Sequence, residues 1–191
     1  MPRKKHAARA RARTRYPWHR RVPWVALGGL VVIVTLVVIV ARSFGIGIGE
    51  GAGRYVPGGG VGDHRSVDQP IAYSSYPPTS GPHWPNPASW GAHTEPVPDE
   101  IAVHNLEHGG VVASYNNIPP ADLAALTRLT TTYPRDRYGE VKLLVRPYER
   151  IKPGTIALTA WSWVDELTTY DEARVRKFMD AHINQGPENV P

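Results

Sequence analysis

The chain has 191 residues, no cysteine and a formal net charge of +5. Without thiols, disulfides, zinc–thiolate sites and cysteine catalysis are excluded. The positive charge belongs to one end: residues 1–21 carry nine Lys/Arg and no acid, while the other 170 carry 13 Lys/Arg against 17 Asp/Glu, a net of −4, so the charge does not mark a nucleic-acid binder.

Residues 22–41, VPWVALGGLVVIVTLVVIVA, run for 20 positions without a charge. At about 1.5 Å per residue, a helix of that length crosses a hydrocarbon core of about 30 Å. Trp18 and Trp24 stand where interfacial aromatics stand, and Arg20, Arg21 and Arg42 bracket the run. The reading is a transmembrane helix, a single-pass anchor in the cell membrane. The cations before it predict a cytoplasmic N-terminus and an extracytoplasmic C-terminal domain. The run exceeds the ~7–15 apolar residues of a cleaved signal peptide, and Ile39-Val40-Ala41 is a poor cleavage site, so the anchor is expected to stay. The 1–21 tail is expected to orient the chain and to touch anionic lipid.

Residues 42–62 are expected to be a Gly-rich linker, with nine glycines between 45 and 62. No strand precedes them and no Gly-Lys-Ser/Thr follows, so they make no phosphate loop. An α+β domain is expected over 63–191. Seven prolines between 74 and 98 disfavour helix and central strand there. Residues 110–115, GVVASY, read as a buried strand ending at Asn116-Asn117. Pro119-Pro120-Ala121-Asp122 opens a helix with Leu123, Leu126 and Leu129 on one side. Residues 141–145 and 155–161 read as strands, separated by a turn at Lys152-Pro153-Gly154. A last helix over 169–184, capped by Thr169 or Asp171, sets Val175, Phe178, Met179 and Ile183 at helical spacing, with His182 on the same face. The sum is a small mixed-sheet domain with two helices and a long irregular Pro/His-rich segment.

Four of the eight histidines (His83, His93, His104 and His108) lie between 74 and 116, with four acids and no Lys or Arg. Imidazole and carboxylate gathered in a turn-rich segment suit a metal site or an acid/base site. His104 and His108 share a face if their segment is helical. His104-Asn105-Leu106-Glu107-His108 also fits the His-x-x-Glu-His pattern of inverted zinc peptidases. Gly109-Gly110 and a strand follow at once, however, so the long helix which that pattern needs is not expected. His83 is set in a rigid turn, Thr79-Ser80-Gly81-Pro82-His83-Trp84. The expected metal ligands are His83, His104 and His108, with Glu107 or water as the fourth. Asp99 and Glu100 are expected to orient the imidazoles. Such a set suits zinc or copper(II) better than magnesium or calcium. Trp84, Trp90, Trp161 and Trp163 either line a groove or pack in the core, and packing is the expectation. Ser80 neighbours His83 in sequence only and defines no triad.

Three motifs carry a family resemblance. Pro77-Pro78-Thr79-Ser80-Gly81-Pro82-His83, Pro98-Asp99-Glu100 and Val103-His104-Asn105-Leu106-Glu107-His108-Gly109-Gly110-Val111-Val112 resemble the bacterial domain-of-unknown-function family numbered 3105. Ala160-Trp161 and Gly186-Pro187-Glu188 are similar too. The resemblance covers about residues 63–190 and implies a membrane-anchored, extracytoplasmic domain without an established reaction. The family pattern carries an aromatic residue where His93 stands, which leaves His83, His104 and His108 as the implied ligands.

The leading expectation is a single-pass membrane protein whose outer domain binds a transition metal, zinc or copper, through these histidines. Its partners are the membrane and an unidentified component of the cell envelope, with no nucleic acid. One rival is an envelope binding or scaffolding module with structural histidines. The other is a metal-dependent hydrolase with Glu107 as general base.

Overall fold

Apolar residues at every position of two short runs, Val111–Ala113 and Leu143–Val145, require a sheet covered on both faces. The structure, a computed structural model, describes residues 53–188 and 190–191. The expected anchor over 22–41 and its basic tail lie outside the described residues. Among the described residues no helix is long and apolar enough to cross a membrane.

The strands are β1 (Arg54–Tyr55), β2 (Gly91–Ala92), β3 (Val111–Asn116), β4 (Leu143–Pro147), β5 (Thr155–Ala160) and β6 (Trp163–Leu167). The helices are α1 (Asp99–Glu107), α2 (Pro120–Thr132) and α3 (Glu172–His182). All six strands form one mixed sheet in the order β1-β6-β5-β3-β4-β2. β3 and β4 are parallel with α2 as their crossover, and β2 adds to β4 in parallel. β5 runs antiparallel to β3, and β6 antiparallel to β5. Ser162, at φ 64°, makes the tight turn between β5 and β6.

Alternate residues divide the sheet between two cores. Val111, Ala113, Leu143, Val145, Ile156 and Leu158 meet Leu126 and Leu129 of α2 and Val175, Phe178 and Met179 of α3. Val112 and Leu144 face the other way, toward Ala102 and Leu106 of α1, with Trp90, Val97 and Trp161 packed around them. Trp163 packs on the first core and Trp90 and Trp161 on the second, so these three form no common groove, while Trp84 Nε1 donates to the Gln69 carbonyl at 3.3 Å.

Besides the short edge strand β2 within the irregular segment and a β4 set two residues later than expected, three features differ from the sequence expectation. The first is a third helix, α1. Pro98 stands at its N-cap, Asp99 and Glu100 complement its dipole in the first turn, and Ala102, Val103 and Leu106 bury its inner face. It is a helix of one face and two and a half turns, too short to show a periodic signal. The second is β6, masked in sequence by Asp165 and Glu166. Asp165 is held by Arg174 of α3 through two hydrogen bonds of 2.8 and 2.6 Å. The third concerns the end of the expected linker. Arg54 and Tyr55 pair with Val164 and Trp163, and the Val56 N–H donates to the Ser162 carbonyl at 2.8 Å, so the chain joins the domain before Asp63.

The irregular segment between β1 and α1 is held by specific polar contacts. The buried Asn105 side chain accepts from the Ala88 N–H and donates to the Ala88 carbonyl, both at 2.9 Å. The Trp84 N–H donates to the Glu100 carbonyl at 3.2 Å, and the Ser162 N–H to the Thr79 carbonyl at 2.9 Å. These bonds lay the segment over α1 and bring its histidines to that helix.

Candidate metal centre

Four ligand atoms, one each from His64, His83, His104 and Glu107, lie within 4.8 Å of one another, and such a His/Glu cluster can hold a metal ion. His104 and Glu107 stand on the last turn of α1, three residues apart and therefore on one face. His83 and His64 come from the irregular segment. They lie side by side in an isolated parallel bridge: the His83 N–H donates to the Asp63 carbonyl at 3.1 Å and the Arg65 N–H to the His83 carbonyl at 2.8 Å. His83 and Glu107 are fully buried and His104 is 4% exposed. The His64 side chain is 41% exposed. The cluster is thus walled on the α1 side and reachable past His64.

The backbone sets the imidazole tautomers. His83 Nδ1 donates to the Gly81 carbonyl at 2.9 Å, and His104 Nδ1 to the Trp84 carbonyl at 2.6 Å. A carbonyl only accepts, so in the neutral ring each Nε2 is left with a bare lone pair turned into the cluster. Burial, with His108, His83 and His64 around it, holds His104 down at about 4 against the pull of the Trp84 carbonyl, so it is neutral and able to ligate at pH 7.

Glu107 is more demanding. Its Oε1 accepts from the Gly62 N–H at 2.7 Å, and its Oε2 lies 2.8 Å from His83 Nε2. With Nδ1 carrying the proton of neutral His83, these two atoms are both acceptors, buried and without a hydrogen-bond partner. Two bare acceptors do not hold at that distance. A proton or a cation must lie between them: a proton on His83 or on Glu107, or a cation shared with His64 and His104. The donor chemistry fits a cation, with three imidazoles and one carboxylate around one point. Bonds of about 2.0–2.1 Å place tetrahedral ligand atoms some 3.4 Å apart. His64 Nε2 stands 4.0 Å from Glu107 Oε2, so closing the set on one ion asks for small movements, which the exposed His64 is free to make.

Among the sequence-expected ligands, His83 and His104 enter the four-atom group, and Glu107 joins as the carboxylate. His108 caps α1 beside the group: its Nε2 is 3.0 Å from His104 Nε2 and 3.5 Å from Glu188 Oε2. His93 stands apart, with Nε2 2.9 Å from the Ser89 carbonyl. Asp99 and Glu100 do not orient the imidazoles. Asp99 binds Arg146 at 2.7 Å and the Tyr148 hydroxyl at 2.9 Å, while Glu100 accepts from the Ile71 N–H at 3.4 Å. Backbone carbonyls of the rigid turn do the orienting instead. Sequence reasoning missed His64, which sits outside the dense segment, just past a glycine run. Only its pairing with His83 brings it in.

The end of the chain closes the far side of α1. Gly109, at φ +77°, turns the backbone out of the helix, and a Cβ on Gly186 would meet the Gly109 nitrogen and the Glu107 carbonyl. The Asn184 N–H donates to the Gly109 carbonyl at 2.8 Å, and the Glu188 N–H to the Glu107 carbonyl at 3.0 Å. Lys142 Nζ, fully buried, donates to the His108 carbonyl at 2.9 Å and to the Val190 carbonyl.

No curated protein and no solved structure matches the chain. The family match spans residues 64–191, beginning at the exposed histidine of the cluster and running through the glycine-proline-glutamate that closes it. On that match the chain belongs to the family described as Protein of unknown function (DUF3105).

Proposed function

We propose that this protein is a single-pass membrane protein whose extracytoplasmic domain holds one transition-metal ion through His64, His83, His104 and Glu107. The observation that carries the metal reading is the buried pair, His83 Nε2 and Glu107 Oε2 at 2.8 Å, facing two further imidazoles. The donor set is imidazole and carboxylate without sulfur, which suits zinc or copper(II). The anchor rests on the uncharged run 22–41 and the nine cations before it. Glu107 suits a ligand better than a general base, because a base must meet substrate or water, and its side chain is fully buried, with Oε1 held by the Gly62 N–H and Oε2 turned to His83.

The first test is elemental analysis of the full chain, purified without a metal-affinity tag, beside His104→Ala. The expected result is near-stoichiometric zinc or copper in the parent and its loss in the folded variant. A folded parent that takes up no metal even after loading overturns the reading. The second reading then stands: His83 carries both protons and forms a buried ion pair with Glu107, as in an envelope binding or scaffolding module. For the orientation, a reporter fused after Pro191 is expected to be active only outside the cytoplasm. Cytoplasmic activity overturns that orientation.

A further inference from the structure

His108 stands beside the four ligand atoms with its Nε2 between two acceptors, His104 Nε2 at 3.0 Å and Glu188 Oε2 at 3.5 Å. His104 Nδ1 gives its proton to the Trp84 carbonyl, so His104 Nε2 bears a lone pair and no hydrogen. Any hydrogen on the short contact is therefore His108's, on Nε2. His104 has one lone pair on that nitrogen. Accepting from His108 and binding a cation are mutually exclusive uses of it.

Glu188 offers the displaced N–H another acceptor. Its carboxylate is partly exposed, and its backbone is tied to the Glu107 carbonyl at 3.0 Å. The same short helix end thus fixes the ligand, the competitor and the alternative acceptor. Lys142 donates to the His108 carbonyl at 2.9 Å and so holds its backbone in place.

We propose that His108 is a gate on the metal centre and not one of its ligands: its N–H competes with the cation for the His104 lone pair, and passes to Glu188 when a cation takes it. This rests on the metal reading above and says how the site is regulated. A competing donor makes the ion exchangeable, which suits an ion that is carried or sensed, whereas a permanent structural ion needs no such device.

The test is competition titration of the full chain with zinc against a chromophoric chelator. His108→Leu is expected to bind zinc about three- to tenfold tighter than the parent, the effect of removing one competing hydrogen bond. Glu188→Ala is expected to bind about three- to tenfold more weakly, because the displaced N–H then loses its charged acceptor and keeps only the Pro191 carbonyl nearby. In the double variant the Glu188 effect is expected to vanish. Weaker binding by a folded His108→Leu makes His108 a ligand and overturns the gate, and so does unchanged affinity. If His108→Leu does not fold, Glu188→Ala decides alone, and unchanged affinity there overturns the gate. A parent that binds no zinc overturns the metal reading itself and takes the gate with it.

Discussion

The cluster depends on one charge. Glu107 is the only carboxylate among the four ligand atoms, and it is fully buried. Glu107→Gln keeps the side chain's size and an oxygen for the Gly62 N–H but removes the charge. It is expected to weaken metal binding at least tenfold, the range of about 1.5–3 kcal/mol seen for hydrogen bonds to charged groups. Thermal melts with and without added metal check this. At 100 times its dissociation constant, an ion stabilises the parent by about 2.7 kcal/mol, and the variant is expected to gain much less at the same concentration. Equal gains would remove Glu107 from the ligand set. Asn105 plays a different part on the same helix. Its amide satisfies Ala88 in both directions and so fixes the irregular segment to α1.

At the scale of elements, α1 and the chain end behave as one unit. An alanine at 186 places a methyl against the backbone of Gly109 and Glu107. Gly186→Ala is expected to cost about 2 kcal/mol or more, and to loosen the metal centre as well, readable as a lower urea midpoint and weaker zinc affinity. A fully native midpoint would mean that the tail does not brace α1. By contrast, Asp171→Ala, which removes the cap bond to the Arg174 N–H of 3.1 Å, is expected to cost about 1 kcal/mol and leave metal affinity unchanged. The elements with strong periodic or propensity signals were legible in sequence: β3, β5, α2 and α3 all lie where the pattern puts them. α1 was not, because nine residues flanked by proline and two glycines carry too little period, and its formation depends on packing against Val112 and Leu144. His83 and His104 were legible as candidates through their density. His64 was not, since nothing local distinguishes a histidine after a glycine run. It acquires a role only when Asp63 and Arg65 bridge to His83.

The whole molecule is a sheet with two unequal coats. α2 and α3 provide a regular apolar layer on one face, whereas the other is covered by α1 and a proline-rich segment rich in polar contacts. Stability and binding therefore separate by face. Leu158→Ala, in the α2/α3 core, is expected to cost about 2–5 kcal/mol while metal affinity in the folded fraction stays near that of the parent, measured by denaturant titration and zinc competition on the same samples. A large loss of affinity would mean that the two faces are not independent. The chain also runs in a telling order. All four ligand residues precede β3, yet the contacts that shape the end of α1 come from residues 184–190, behind the last helix. In chain order the ligands are thus made before the scaffold that spaces them. The centre takes form only once the final residues have followed. An ion held there, on the reading proposed above, is then acquired only after the chain end has folded, so the supply at that point, more than the order of intrinsic affinities, decides which metal is loaded.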